Sequence, residues 1–339
     1  MRSIINNLVN SPRWVGYMPH MMNIFFYHKQ NPSTNINQGA FTYNKLYVDN
    51  MLANITFTSN RFPKSKIFLI EEGLSAPSLN LPNLTVITQH KDLPARPREF
   101  LKNYFHLYSR GDEKLITTFF ERWFHVYEVL IANDIQDFIY LDSDCVLLEE
   151  LTSHNYEKIG TNHPPCSEDC WPNMVMCSTA NLNKFLDFIC SFYKGVQQHI
   201  TKAKMPLQEK AAIKYINSFF DKPRTGVCDM ALWYLFKKQN PDLFINNLTI
   251  DHDSSVHDWG LGHDTTTFTS QPAQKHNPQG VLKTVNIKQI FYTEDGPCFE
   301  EKNTKELIKI KSLHFSPGTL KFDIIPFIEE YEKIYGFPH

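Results

Sequence analysis

Apolar residues in this chain gather into short continuous runs separated by stretches of helical spacing. The runs are Asn23-Ile24-Phe25-Phe26-Tyr27-His28, Lys66-Ile67-Phe68-Leu69-Ile70-Glu71, Leu84-Thr85-Val86-Ile87-Thr88 and Phe138-Ile139-Tyr140-Leu141. Between them, Tyr43–Phe57, Glu99–Tyr108 and Phe119–Asn133 carry apolar positions at helical intervals. Short, fully apolar strands alternating with helices predict a mostly parallel sheet covered on both faces. Gly73 closes the second run. The first half, about 21–150, is therefore expected to be doubly wound α/β. The second half, about 151–339, is less regular. It predicts a strand at Met174-Val175-Met176, an amphipathic helix over Asn181–Gly195, a basic helical stretch on the surface over Lys202–Lys222, and a helix over Asp229–Gln239. A late strand at Ile310–Phe315 and a closing helix over Asp323–Tyr335 follow. His252–Gln279 is rich in Asp, His, Thr, Gly, Gln and Pro and reads as one long loop, a kind that in compact domains is usually functional or disordered. No repeat and no clear linker divides the chain, so residues 21–339 are expected to form one domain behind a 1–20 leader segment.

Composition narrows the picture. The 339 residues are 42% hydrophobic, enough for a sizeable core. Aromatics reach 14%, with 26 Phe and 15 Tyr, and core packing is the main use expected of them. The formal net charge of −2 gives no electrostatic footprint for nucleic acid. No apolar run approaches the roughly 20 residues that span a bilayer, and Met1–Val15 lacks the apolar core of a signal peptide. Seven cysteines, an odd number set mostly in apolar context, fit buried free thiols in a reducing compartment. A cytoplasmic protein with no transmembrane segment is expected. The sequons at Asn54, Asn83 and Asn247 carry little weight.

The chemistry concentrates at Asp142-Ser143-Asp144. Ligands of open α/β sheets bind beyond the carboxyl ends of the strands, and this triplet follows the fourth apolar run. Residues two apart on an extended segment point the same way, so both carboxylates can face one ligand. Paired hard oxygens suit Mg2+ or Mn2+, which also take phosphate oxygens. Asp142 and Asp144 lie between apolar segments, Cys145-Val146-Leu147-Leu148 following, and charges so placed are costly unless they bind something.

Phe138–Leu151, FIYLDSDCVLLEEL, resembles the Asp-X-Asp segment of GT-A-fold glycosyltransferases, and most of all the retaining enzymes of glycosyltransferase family 8 and their neighbours. The resemblance implies a GT-A-like, Rossmann-like α/β fold: a mostly parallel central sheet flanked by helices, with an irregular C-terminal acceptor half. It implies that Asp142 contacts ribose and metal and that Asp144 coordinates the metal. Arg122 falls where the family has a basic residue near the donor phosphates. Trp171-Pro172-Asn173-Met174-Val175-Met176 resembles the family's Asn-Ser/Ala-Gly-Val-Met segment, with Asn173 near the donor sugar and Met174 in place of the usual Gly. Asp229 resembles one carboxylate of the family's Asp-Gln-Asp, beneath the reactive face of the sugar, and is the implied catalytic residue. His314, Gly318 and Lys321 resemble the late His-X-X-Gly-X-X-Lys, with one extra residue between His314 and Gly318. His314 would be the third metal ligand and Lys321 would touch the diphosphate. A neutral imidazole suits such a site.

The implied reaction moves a hexose from a nucleotide diphosphate sugar, a UDP-sugar first among candidates, to a glycan, protein or lipid hydroxyl. The early strand ends at Tyr27, His28 and Glu71 would hold base and ribose. Two other readings stand beside this one. A haloacid-dehalogenase-type phosphatase would use Asp142 as nucleophile, although its motif normally opens the domain. A non-catalytic nucleotide-sugar-binding protein would keep the pocket and lose the metal ligands. His163, Cys166 and Cys170 fall short of a four-ligand zinc site. His257–Asp264 combines Trp259 with imidazole and carboxylate and could meet a sugar, and Asp258 or Asp264 could act as base in an inverting enzyme.

Overall fold

A computed structural model of the chain describes residues 22–29, 38–72, 79–88, 95–106, 113–150, 158–162, 168–203, 207–222, 224, 226–245, 255–263, 265–276, 282–316 and 318–336. The 1–20 leader, Gly73, Asn247, His163, Cys166 and Asp264 lie outside them.

The four apolar runs are strands β1 (Asn23–Lys29), β2 (Lys66–Glu72), β3 (Leu84–Thr88) and β4 (Asp137–Leu141). With β6 (Gly160–Asn162) and β7 (Trp171–Ser178) they build a sheet of order β3-β2-β1-β4-β7-β6. The contacts β3–β2, β2–β1 and β1–β4 are parallel, whereas β7 runs antiparallel to β4 and β6 antiparallel to β7. β1, β2 and β4 lack polar alternation because both faces are covered, whereas the edge strand β3 is largely exposed. Phe25, Phe138 and Val175 enter a cluster with Trp123 of α3 (Glu113–Ala132), Phe185 of α4 (Thr179–Lys202) and Trp233 of α6 (Asp229–Gln239). Ile24, Phe26, Ile139, Leu141 and Met174 face the other way, against Met51 and Ile55 of α1 (Gln38–Arg61). Full burial of side chains this large stabilises by roughly 1.5–3 kcal/mol each. This is the mostly parallel, helix-flanked α/β sheet that the sequence predicts for a GT-A-like chain.

Several expected boundaries move. The helix expected at Glu99–Tyr108 is α2 (Ala95–Asn103), and the stretch expected as one helix over Lys202–Lys222 holds the end of α4, a break, and α5 (Gln208–Asn217). α5 is not a surface excursion, since Ala212 and Ile216 are buried. The expected loop His252–Gln279 contains β8 (Ser255–His257) and β9 (Ser270–His276). β9 pairs antiparallel with β10 (Leu282–Lys288) as a separate two-stranded sheet.

Of a further sheet, only the late strand expected at Ile310–Phe315 was legible in the sequence. β5 (Cys145–Leu147), β11 (Ile290–Thr293), β12 (Gly296–Glu300) and β13 (Leu307–His314) form the order β11-β12-β13-β5, with β8 also pairing β13. Its residues Val146, Phe299, Ile310 and Leu313 form a cluster with Ile324, Phe327 and Tyr331 of α7 (Ile324–Tyr335). The chain therefore leaves the main sheet at the end of β4, turns through Asp142-Ser143-Asp144, and enters the second sheet as β5. The acidic triplet lies at the seam between the two.

Candidate active site

The triplet forms a tight turn rather than the extended segment expected, because β4 must hand the chain over to β5 within three residues. Cys145 N donates to Asp142 O at 2.9 Å and closes the turn. Asp142 N donates to Asn173 O at 2.8 Å, fixing the turn to β7. Asn54, fully buried on α1, donates its side-chain amide to Ser143 O at 3.1 Å and to Cys145 O at 3.0 Å. The Tyr47 hydroxyl meets Ser143 Oγ. A buried Asn on the apolar face of α1 is thus a strut of the turn, and its sequon reading has no place.

Strand register brings His314 to the triplet. His314 lies opposite Cys145 in the β13–β5 pairing, and Phe315 N donates to Asp144 O at 2.9 Å. His314 Nε2 lies 3.5 Å from Asp144 Oδ1. Its Nδ1 is 2.8 Å from the Trp259 carbonyl, to which it donates when Nε2 is left free as an acceptor or ligand. One ligand atom each of Asp142, Asp144 and His314 falls within 4.8 Å of the others. Two carboxylates and an imidazole whose far nitrogen rests on a carbonyl are a donor set that fits a hard divalent cation.

Two cationic side chains flank the cluster. Lys321 Nζ lies 2.8 Å from Asp144 Oδ2. Arg122, on α3, donates from Nη1 to Asp142 Oδ1 at 2.7 Å and from Nη2 to Asp229 Oδ2 at 2.5 Å. The Tyr140 hydroxyl, at the end of β4, also donates to Asp142 Oδ1 at 3.0 Å. Trp123 Nε1 donates to Asp229 Oδ2 at 3.1 Å. Asp229 opens α6, and its side chain is only 2% exposed, against 27% for Asp142.

These contacts decide the protonation states. Burial works to raise the Asp144 pKa, but Lys321 and His314 outweigh it and hold the carboxyl well below the usual range. Burial works against a charged His314, but the Asp144 carboxylate outweighs it and raises the imidazole pKa. Burial raises the Asp229 carboxyl, with Arg122 and Trp123 opposing.

The early strand ends sit beside the turn. His28 and Glu71 are register neighbours on β1 and β2. Burial lowers His28 to about 4, so its imidazole is neutral at pH 7. Glu71 accepts from Thr88 Oγ1 at 3.0 Å through Oε1, while its buried Oε2 has no hydrogen-bond partner. The Tyr27 ring stacks on His125 at 5.9 Å, and the His28 ring lies 5.9 Å from Tyr47, which touches Ser143.

Asp142, Asp144, His314, Lys321, Arg122 and Asp229 are therefore joined in one network, and Asn173 supports it through its backbone. Arg122, expected at the donor phosphates, has both terminal nitrogens engaged by carboxylates. Asp258 is fully buried and paired with Lys288, so it presents no carboxylate to an acceptor. Cys170 is fully buried. Tyr47, Asn54 and Tyr140 were missed. Tyr140 reads as one more apolar residue of its strand, and only its place two residues before Asp142 hints at its hydroxyl's use.

Among solved structures the chain is similar to a transferase (13% identity, TM-score 0.34, covering 63% of this chain and 90% of that one). It is also similar to mouse xyloside xylosyltransferase 1 in its apo form (10% identity, TM-score 0.38, 73% and 91%). A third is a glycosyltransferase involved in the glycosylation of the major capsid of PBCV-1 (11% identity, TM-score 0.24, 61% and 78%). No family model and no curated protein matches the chain. Among the described residues, no helix is long and apolar enough to cross a membrane.

Proposed function

We propose that this protein is a metal-dependent glycosyltransferase that moves a hexose from a nucleotide diphosphate sugar to an acceptor hydroxyl. The observation that carries the proposal is the convergence of Asp142, Asp144 and His314 at the carboxyl end of β4, with Lys321 beside them. The motif resemblance supplies the reaction class. Asp142, Asp144 and His314 would hold Mn2+ or Mg2+, and the bound cation would offset charge on the diphosphate.

The chain's own residues have separable parts in this reading. Tyr27, His28 and Glu71 line the strand ends where base and ribose would lie, and the free Oε2 of Glu71 is an acceptor for a base or ribose donor. When the bond between the anomeric carbon and the diphosphate breaks, its electron pair stays on the leaving oxygen. Lys321, 2.8 Å from Asp144, would meet that oxygen, where fixed positive charge stabilises a transition state most. Arg122 acts at one remove by fixing Asp142 and Asp229. By the motif resemblance Asp229, held by Arg122 and Trp123, would lie beneath the sugar's reactive face, and Asn173 would join the donor side. The burial of Asp258 removes one of the two candidate bases for inversion, and the other, Asp264, lies outside the described residues.

The test is a panel of nucleotide sugars assayed for hydrolysis with and without Mn2+. Release of nucleoside diphosphate that needs the cation and is lost in Asp144→Ala is expected. Activity indifferent to chelator and to that substitution would overturn the metal-centred reading. Phosphate release from phosphomonoesters through a phosphorylated Asp142 would establish a phosphatase instead.

A further inference from the structure

A buried charge pair outside the acidic turn converges on the same site. Lys288, the last residue of β10, is 2% exposed, and its ammonium pairs with Asp258 Oδ1, which is itself fully buried. The ammonium lies 5.9, 5.4 and 5.1 Å from the ring centroids of Trp259, Phe268 and Phe299. Lys288 also donates its backbone N–H to Leu261 O at 3.0 Å. It thus holds the segment Asp258–Leu261 at both ends, one by side chain and one by backbone.

That segment touches both arms of the candidate metal site. Its Trp259 carbonyl faces His314 Nδ1, and its Leu261 N–H donates to His314 O at 2.8 Å. Its Asp258 carbonyl accepts from Asn173 Nδ2 at 3.4 Å, and Asn173 O accepts from Asp142 N. Asn162 Nδ2 fixes Asn173 from the other side at 3.2 Å. Burying a lysine and an aspartate merely to stabilise a core is a poor use of either, since an apolar pair of similar volume often does as well. Here the Asp258 Oδ2 atom has no hydrogen-bond partner, so the pair is not arranged for the fullest satisfaction of its charges.

We infer that Lys288 and Asp258 are positioning residues for the divalent cation: they hold the Trp259 carbonyl that aims His314 Nε2 at Asp144. This rests on the reading of Asp142, Asp144 and His314 as metal ligands. The β9–β10 hairpin, which belongs to neither large sheet, is thereby tied to the site.

The test measures Mn2+ affinity from the free-ion electron paramagnetic resonance signal, together with the thermal midpoint. The variants are wild type, His314→Ala, Lys288→Arg and the neutral double variant Lys288→Met/Asp258→Asn. The double variant removes both charges, so no lone ion is left buried. Its expected behaviour is a cooperative melt with Mn2+ binding weakened about 10- to 100-fold, the loss typical when a ligand's outer partner is removed. Lys288→Arg keeps charge and donor and should stay within about threefold of wild type, a fraction of that outer-partner loss. A folded double variant that binds Mn2+ as wild type does would overturn the inference while leaving the ligand reading intact. If the double variant does not fold, Lys288→Arg decides: a full 10-fold loss, with the charge retained, would overturn the charge-pair role. Wild type and His314→Ala binding Mn2+ equally would overturn the ligand reading and this inference with it.

Discussion

Replacing Arg122 by Met tests the network most sharply on stability. The guanidinium side chain is 9% exposed and bonds two carboxylates, of which Asp229 is 2% exposed. Met keeps the stem and loses both bonds. Asp142 is 27% exposed and can recover solvent, but Asp229 is left with Trp123 Nε1 and its own helix start. Removing one partner of a buried pair costs about 3–5 kcal/mol, because the other charge stays buried and uncompensated. A chain of 339 residues unfolds with an entropy of roughly 0.7 kcal/mol/K, so the midpoint should fall by about 4–7 °C. The assay is thermal unfolding of Arg122→Met beside Arg122→Met/Asp229→Asn at constant pH. The second substitution removes the stranded charge and should recover at least half of the loss, with donor hydrolysis still absent. A single variant within about 1 °C of wild type, or a double variant less stable than the single, would refute the reasoning, since a buried uncompensated charge cannot be that cheap.

The pH dependence of stability follows from His28, whose folded pKa is depressed to about 4. Its contribution is fully present above the unfolded value near 6.5 and is lost as pH falls toward 4, so it should cost about 2 kcal/mol by pH 5. Melting curves of wild type and His28→Asn between pH 7 and pH 5 should show a steeper decline in wild type; parallel curves would contradict the burial of a neutral imidazole. At Gly260 an added Cβ would lie 2.3 Å from His263 Cδ2, beside the ring stacked 4.9 Å from Trp259. Gly260→Ala should therefore destabilise by about 1–3 kcal/mol as an overpacked site, and Gly260→Ala/His263→Ala should recover most of it by calorimetry. An unchanged midpoint in the single variant would show that His263 is free to move aside.

Much of the main sheet was legible because β1, β2 and β4 are buried on both faces. Phe25 and Tyr27 serve one cluster while Ile24 and Phe26 serve the other, so the sequence shows an unbroken apolar run. Of the second sheet only β13 was legible, because β5 is three residues long and β11 four residues long and only half-buried. β12 opens on Gly-Pro, which reads as a turn, and β10, in the separate sheet with β9, is mostly exposed and sets Lys283 beside Thr284. Composition alone made the β8–β9 region look like a loop, yet β8 is held by pairing with β13, a partner some fifty residues away. At the site, Asp142 and Asp144 stood out as charges between apolar segments, and His314 as an imidazole at the end of a late strand. What sequence could not supply was the β13–β5 register that sets His314 opposite Cys145. Nor could it show that Lys288 and Asp258, 30 residues apart, meet in the interior.

The central claim is that Asp142, Asp144 and His314 bind a divalent cation against a nucleotide diphosphate. Calorimetric titration of a set of nucleoside diphosphates tests it most directly, with Mn2+, with chelator, and in Asp144→Asn. At least one diphosphate should bind wild type with Mn2+, and chelator or Asp144→Asn should weaken it by more than about 100-fold, beyond what an outer-partner loss costs. Binding that persists unchanged in chelator and in Asp144→Asn would contradict it.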